Sequence, residues 1–300
     1  MTATADMILE RRRIRRRLTF WRILAIVAIL IAAIAMIPKS VTSGDHIARV
    51  SIDGVIQDDP DRDRLLRRLV DEDTVRAVIV RINSPGGTVV ASEALYEQLR
   101  SIAETKPVVA VMTEYAASGG YIASLASDYI IARGNTLTGS IGVLSEVPNI
   151  EGLMEMLGVG VTRIKSAPLK AEPSVTEAPS PAALKAQEAL IADMYGWFRG
   201  LVEERRNLTG GALNTVSDGR AFTGRQALEL GLVDVIGDEQ TARDWLESEH
   251  SIDAGTKVKE QLWGDKARPW PLSALLETGN ALSTLSRLDS GLPRLYAIIQ

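Results

Sequence analysis

The sequence contains no cysteine and only two histidines, His46 and His250. The first absence excludes disulfides, thiol catalysis and cysteine-ligated zinc, and leaves the redox compartment open. The second leaves a Ser-His-Asp triad few candidates for its base and a histidine-rich metal site none. His46 lies close behind a hydrophobic segment and His250 within the charged stretch 247–253, neither beside a serine or carboxylate motif. There is no internal repeat and no low-complexity segment, and no residue pattern asks for a cofactor or a metal.

What is present is unevenly distributed. The 300 residues are 46% hydrophobic and 24% charged, the balance of a folded chain. Net charge is −4, yet residues 1–22 hold seven arginines and two acids. The remainder keeps 27 of the 34 basic and 36 of the 38 acidic side chains, a net of −9. An acidic body argues against nucleic acid as a partner. Residues 23–37 carry no polar side chain, and extending back to Leu18 gives about 20 residues, the length of a bilayer span. The arginines before it predict a cytoplasmic N-terminus, with everything after Lys39 on the other side. The apolar run is too long, and the stretch after it too poor in small residues, for a cleaved signal peptide. The expected layout is a basic tail at 1–17, a transmembrane anchor at 18–38, a main domain at 46–250 and an apolar tail at 251–300 without assigned chemistry.

Within the main domain, strands alternate with helices. His46 to Ile52, Arg76 to Ile82, Val108 to Met112, Asp128 to Ala132, Thr138 to Leu144, Val159 to Lys165 and Leu232 to Ile236 read as strands. Helices are expected over 58–73, 88–105, 122–126, 149–157, 182–207, 224–230 and 241–249. Thr223 is placed to cap the helix that Gly231 ends, and Ser166 to Pro181 reads as a loop. The alternation predicts an α/β fold with a parallel sheet built from crossover units.

Two loops carry the chemical interest. Asn83-Ser84-Pro85-Gly86-Gly87 follows one strand, and Ala117-Ser118-Gly119-Gly120 follows the next. Each alone is an ordinary Gly-rich turn, and Ser118 alone reads equally well as a helix cap. Together they open at the same carboxyl edge of a parallel sheet, where active sites gather. One loop offers a backbone oxyanion donor at Gly87, the other a nucleophile at Ser118 and a second donor at Gly119.

These loops, with Thr138-Gly-Ser-Ile-Gly142, Ile164-Lys-Ser166 followed by Lys170, and Gly219 to Val233, resemble the signal peptide peptidase A family of membrane-anchored serine proteases, relatives of the Clp protease and crotonase folds. The pieces occur in the family's order across residues 47–245, in its short form with one protease domain. The resemblance implies a Clp protease/crotonase-like sheet of repeated ββα units and a Ser-Lys dyad. Ser118 is then the nucleophile, Lys170, 52 residues downstream, the general base, and Ser140 the residue that positions the lysine. A lysine at its reference pKa near 10.4 is a poor base, and serves where desolvation favours the neutral amine. Lys170 stands in Ala167-Pro168-Leu169-Lys170-Ala171, an apolar setting apart from Glu172, and Lys165 is the competing base. The stretch 169–173 departs from the family pattern after the lysine. The implied partners are cleaved signal peptides and other apolar peptides, the membrane, and further copies of the chain, in an octameric ring that shares its dyads between neighbours. The implied place is the inner membrane, with the catalytic domain outside the cytoplasm. Two other classes fit parts of the pattern: a crotonase-type acyl-CoA enzyme, which needs neither Ser118, Lys170 nor an anchor, and a catalytically silent membrane scaffold.

Overall fold

The computed structural model of the protein describes residues 21–27, 44–264 and 296–298. The chain divides into two units, Met1–Gly44 and Asp45–Gln300. In the first, residues 21–27 are helical, and the rest of the expected span at 18–38 lies outside the described residues, as does the basic tail at 1–17. Among the described residues no helix is long and apolar enough to cross a membrane.

The second unit is α/β. Its strands are β1 (His46–Asp53), β2 (Val75–Ser84), β3 (Gly86–Thr88), β4 (Val108–Ala117), β5 (Tyr129–Ala132), β6 (Leu137–Gly139), β7 (Ala221–Thr223), β8 (Val235–Ile236), β9 (Lys257–Glu260) and β10 (Tyr296–Ile298). Its helices are α1 (Pro60–Asp71), α2 (Val89–Ala103), α3 (Gly119–Leu125), α4 (Glu151–Met156), α5 (Pro181–Arg206), α6 (Gly210–Val216), α7 (Gly224–Glu229) and α8 (Glu239–His250). One sheet runs β7-β6-β4-β2-β1-β9, with β5 joining β4 to β8. All its pairings are parallel except β6 with β7. Besides β2, the strand β4 has two further neighbours: its first half pairs with β5 and its last three residues with β6.

Both faces of this sheet are covered, so its central strands carry continuous apolar runs, Ala77 to Val80 in β2 and Val108 to Met112 in β4, while β1 alternates. Val78, Val80 and Ile82 of β2 join Leu66 and Leu69 of α1, Leu95 and Leu99 of α2 and Phe198 of α5 in one core. Ile79 of β2 and Val109 and Val111 of β4 face the other way, against Ala242 and Leu246 of α8. Full burial of each such side chain contributes about 1.5–3 kcal/mol.

Capping fixes several helix starts. Asp59 accepts from the amides of Asp61 and Arg62, with Pro60 in the first turn of α1. Thr223 and Gln226 form the reciprocal cap of α7, and Gly231 follows with φ +73. The expected strand at Val159 to Lys165 is not formed. No strand lies alongside it among the described residues, and its Arg163 and Lys165 turn instead to Glu172. The expected strand at Thr138 to Leu144 stops at Gly139, because Ser140 takes φ 50 and leaves the sheet. The strand β9 pairs with β1, which carries the sheet beyond residue 250. Much of the apolar tail, 265–295 and 299–300, lies outside the described residues.

Candidate active site

Two strand ends build the site. The strands β2 and β4 run parallel, and the turns that follow them, 84–87 and 117–120, open at one edge. Hydroxyls inside the sheet hold that edge together. Thr113 donates from Oγ1 to the Ile82 carbonyl at 3.0 Å, and Thr138 donates to the Ala116 carbonyl at 2.7 Å. Ser84 Oγ accepts from the Gly86 amide at 3.1 Å. Ser92 Oγ, one turn into α2, donates to the Thr88 carbonyl at 2.9 Å. Sequence reasoning gave none of these hydroxyls a role, although Ser84 and Thr138 stand within the motifs quoted above. The available signal was a polar residue on an otherwise apolar face, as at Ser92, which is fully buried.

Ser118 lies where β4 meets α3. Its backbone takes φ 54 and ψ −117, a conformation that costs an L-residue energy and is typical of functional turns. Its amide donates to the Gly139 carbonyl at 2.8 Å. It is fully buried, and its Oγ has no hydrogen-bond partner among the described residues. It occupies the N-cap position of α3 yet makes no capping bond, so the helix-cap role that the sequence equally allows is not the one it performs. A buried, unpaired hydroxyl costs about 1–3 kcal/mol. Such a cost persists where the surroundings serve something else.

Gly87 and Gly119 approach each other. A Cβ on Gly119 would stand 3.1 Å from the Gly87 nitrogen and 2.3 Å from Ser92 Oγ, and a Cβ on Gly87 would stand 1.8 Å from the Ile56 carbonyl oxygen. Only glycine fits either place. The Gly87 nitrogen therefore lies close to Gly119, the residue that follows Ser118. The serine helix is fixed from behind as well. Arg205 of α5 donates to the carbonyls of Leu125 and Ser127, each at 2.9 Å, and Arg100 donates to that of Ala126 at 2.9 Å. Tyr121 donates its hydroxyl to the Leu232 carbonyl at 2.8 Å, and complete burial pushes its pKa up.

Ser140 follows Gly139, the residue whose carbonyl receives the Ser118 amide, so the two serines belong to adjacent strand ends. It is buried, with φ 50, and its amide donates to the Arg220 carbonyl at 2.9 Å. Beyond it, Ile141, Val143, Ile191, Ala192 and Tyr195 wall a hollow of about 480 Å³. Larger hollows of about 640 and 600 Å³ flank Trp263, with Asp61, Arg64, Arg67 and Asp59 among their walls, and Ser118 and Ser140 line none of the three.

Lys170 is placed differently. The expectation of an apolar setting is not met within one chain: the stretch 166–170 lies on the surface and Lys170 is exposed. Its loop closes on itself. The Lys170 amide donates to the Ala167 carbonyl at 3.1 Å, and the Ile150 amide to that of Val175 at 2.8 Å. Lys165, the competing base, donates to Glu172 Oε1, and Arg163 reaches the same oxygen at 3.4 Å. The hydrogen bond from Lys165 is the main reason the Glu172 pKa lies below its ordinary value. The structure thus gathers Ser118, Ser140, Gly87 and Gly119 at one edge and holds Lys170 on an exposed loop. Among the described residues no group of acids and histidines is arranged to hold a metal ion.

A strained, buried serine at the carboxyl edge of a parallel sheet, with two closely approaching glycines beside it, has the layout of a candidate catalytic site. Comparison with known proteins narrows this. Residues 100–253 match peptidase family S49, and residues 53–133 match the Clp protease family. A Synechocystis protein provisionally named a protease is 41% identical over 210 residues, covering 69% of this chain and 76% of that one. An Enterococcus faecium protein provisionally named signal peptide peptidase SppA is 32% identical over 231 residues, 72% of this chain and 67% of that one. The chloroplastic serine protease SPPA of Arabidopsis thaliana is 35% identical over 175 residues, 57% of this chain and 26% of that one. The chain belongs to peptidase family S49, the signal peptide peptidase A family.

Proposed function

We propose that the chain is a membrane-anchored serine endopeptidase that cuts apolar peptides, signal peptides left in the membrane foremost, with Ser118 as nucleophile and Lys170 as general base. The observation that carries this reading is the Ser118 hydroxyl: buried, strained, not capping and unpaired. In the reaction Ser118 Oγ attacks the peptide carbonyl and passes its proton to the neutral Lys170 amine. The Gly87 and Gly119 amides receive the oxyanion. Lys170 then gives the proton to the leaving amine, and water hydrolyses the acyl-enzyme. Ser140 orients the lysine, and the hollow that begins at Ile141 offers Val143, Ile191 and Ala192 to an apolar side chain of the substrate, with Glu188 and Asp218 also in its wall. The sequences β2–β3–α2 and β5–β6–α4 support the finer reading of the fold as repeated ββα units.

The same reading makes the active form a ring of copies, eight by the resemblance. Supporting it is the apolar surface around the lysine loop: Ile164 is 97% exposed, Met156 84% and Leu157 68%. Covering this surface with a neighbour would bury Lys170 and supply the desolvation a lysine base requires. The decisive experiment treats the purified chain with a fluorophosphonate and maps the adduct. Labelling at Ser118, lost in Ser118→Ala, is expected, and labelling elsewhere or none would overturn the assignment. A reporter fused after residue 300 is expected to behave as translocated, and activity of a reporter that folds only in the cytosol would overturn the anchored topology.

A further inference from the structure

Helix α1 presents two faces at helical spacing. Arg62, Leu65, Leu66 and Leu69 are buried, and Arg64, Arg67, Arg68 and Asp71 are exposed. Its four arginines are used differently. Arg62 is committed to the fold: it donates to Asp63 at 3.2 Å and to the Gln57 carbonyl at 3.1 Å. Arg64 pairs with Asp61 and donates to the Pro60 carbonyl at 3.2 Å. Arg67 and Arg68 make no hydrogen bond or ion pair among the described residues. Arg64 and Arg68 also stand four residues apart on one face, a like-charge spacing that disfavours the helix. The fold therefore tolerates these cations without using them, in a chain that beyond residue 22 has 27 basic against 36 acidic side chains.

Arg64, Arg67 and Arg68 all line the hollow of about 640 Å³, with Leu262 and Trp263 as its apolar wall. The acids in that wall are Asp61, already paired with Arg64, and Asp71. Trp263 is fixed in place: its Nε1 donates to Asp59 Oδ2 at 2.8 Å, and Asp59 Oδ1 accepts from the first amides of α1. The neighbouring hollow, which shares Trp263, has four aspartates and one arginine in its wall, so the cationic character belongs to the α1 hollow alone.

We propose that this hollow binds the phosphate of an acidic phospholipid headgroup, with Arg67 and Arg68 on the phosphate and Leu262 and Trp263 against the glycerol and the first methylenes. A guanidinium offers a planar fork that matches phosphate oxygens. An indole beside exposed apolar surface suits the boundary between headgroups and hydrocarbon. A free phosphate ion needs the arginines and has no use for the apolar wall, and the two together favour a lipid. An anionic bilayer repels an acidic domain, and one arginine-lined hollow turns a fixed face of that domain towards the lipid. The source of the lipid rests on the anchored reading above, and the inference is independent of the chemistry at Ser118.

The test titrates the full chain, in a non-ionic detergent, with dihexanoyl phosphatidylglycerol, with the zwitterionic dihexanoyl phosphatidylcholine and with inorganic phosphate, and reads dissociation constants by calorimetry. The chains compared are the parent, Arg67→Gln/Arg68→Gln, and Lys185→Gln/Arg225→Gln, which lowers the charge equally and lines neither hollow at Trp263. Arg67→Gln/Arg68→Gln is expected to weaken phosphatidylglycerol binding about tenfold or more, and the remote pair to leave it unchanged. Phosphatidylcholine is expected to bind weakly and equally to all three chains, and inorganic phosphate to bind the parent about tenfold more weakly than phosphatidylglycerol, for want of the apolar contacts. Equal phosphatidylglycerol binding in the parent and Arg67→Gln/Arg68→Gln would overturn the proposal, as would equal binding of the two lipids. An equal loss in the remote pair would show attraction by net charge alone and overturn the site. Phosphate bound as tightly as phosphatidylglycerol would make this a free-anion site and overturn the lipid assignment. Should the double variant lose its fold, each single replacement is measured instead, and unchanged binding in both would overturn the proposal. Fluorophosphonate labelling of Ser118, read on the same samples, is expected to be equal in all chains, so failure of the lipid site and failure of the protease reading are seen separately.

Discussion

The turn that carries Ser118 and the loop that carries Lys170 differ in almost every physical respect. Around Ser118 the backbone is buried from Ala116 to Ser127, its carbonyls are clamped by Arg100 and Arg205, and the approach to Gly119 is closed to any larger side chain. Around Lys170 the chain is exposed, lacks strand and helix from 158 to 180, and is tied by its own short-range bonds. Half of the proposed machinery is therefore preorganised by the core of a single chain. The other half is a surface feature that the described residues do not desolvate. If Lys170 is the base proposed above, the dyad gains its second member only when something covers the loop.

The largest expected effect breaks the preorganised half. Ser118→Ala removes one oxygen that makes no hydrogen bond among the described residues, so stability is expected to change little, with Tm within about 2 °C. Peptide hydrolysis is expected to fall about 10,000-fold or more. Joint loss of activity and thermal stability would identify a structural serine instead.

Next comes the exposed half. Lys170→Arg keeps the positive charge and is expected to be inactive, because a guanidinium stays protonated at working pH. Lys165→Ala is expected to retain hydrolysis. The reverse result would assign the base to Lys165. If neighbouring copies complete each other's sites, mixing Ser118→Ala with Lys170→Ala chains is expected to restore part of the activity that neither has alone. No restoration, from chains shown to assemble together, would confine the dyad to one chain. In either arrangement kcat/KM is expected to rise with pH and level off, and to persist when both His46 and His250 are replaced.

A smaller effect sharpens the comparison from inside the sheet. Thr138→Val keeps the shape of the side chain and removes the 2.7 Å bond to the Ala116 carbonyl, two residues before the nucleophile. A cost of about 1 kcal/mol in stability is expected, because the carbonyl stays buried. The rate is expected to fall by more than stability alone predicts, through kcat and not KM. An unchanged kcat would show that this strand end does not position Ser118.

What could be read from the sequence divides along the same line. The parallel order, the two turns at one edge, the Thr223 cap and the Gly231 stop all follow from local composition, and local composition also decides them in the fold. The three-residue strand Gly86–Thr88 was not legible, because glycines carry no strand signal and its pairing depends on Ile56 and on a segment some 200 residues away. The stretch 159–165 shows the opposite error: it has the composition of a strand and no partner to pair with. The lysine loop misleads for a related reason. Ala-Pro-Leu-Lys-Ala is apolar as a string, but whether it is packed depends on what lies against it, and it is exposed among the described residues.

The smallest expected effect concerns how that loop keeps its shape before anything covers it. Glu172 sits two residues beyond Lys170 and takes both Lys165 and Arg163. The hydrogen bond from Lys165 holds its pKa below the ordinary value of 4.5, with Lys165 and Arg163 charges acting in the same direction against partial burial. A depressed folded-state pKa means that the stabilisation is fully present above about pH 4.5 and is lost as pH falls through the lower value. Amides of residues 163–172 are therefore expected to exchange faster in acid, while those of β4 and α3 do not change. Glu172→Gln is expected to give the same faster exchange already at neutral pH, with global Tm almost unmoved because the site is on the surface. Its effect on hydrolysis tells the two halves apart: a loop that needs this brace loses rate when its own carboxylate is removed, whereas a loop ordered by a covering neighbour does not. Unchanged exchange in Glu172→Gln would mean that the pairing with Lys165 does not set the loop's conformation.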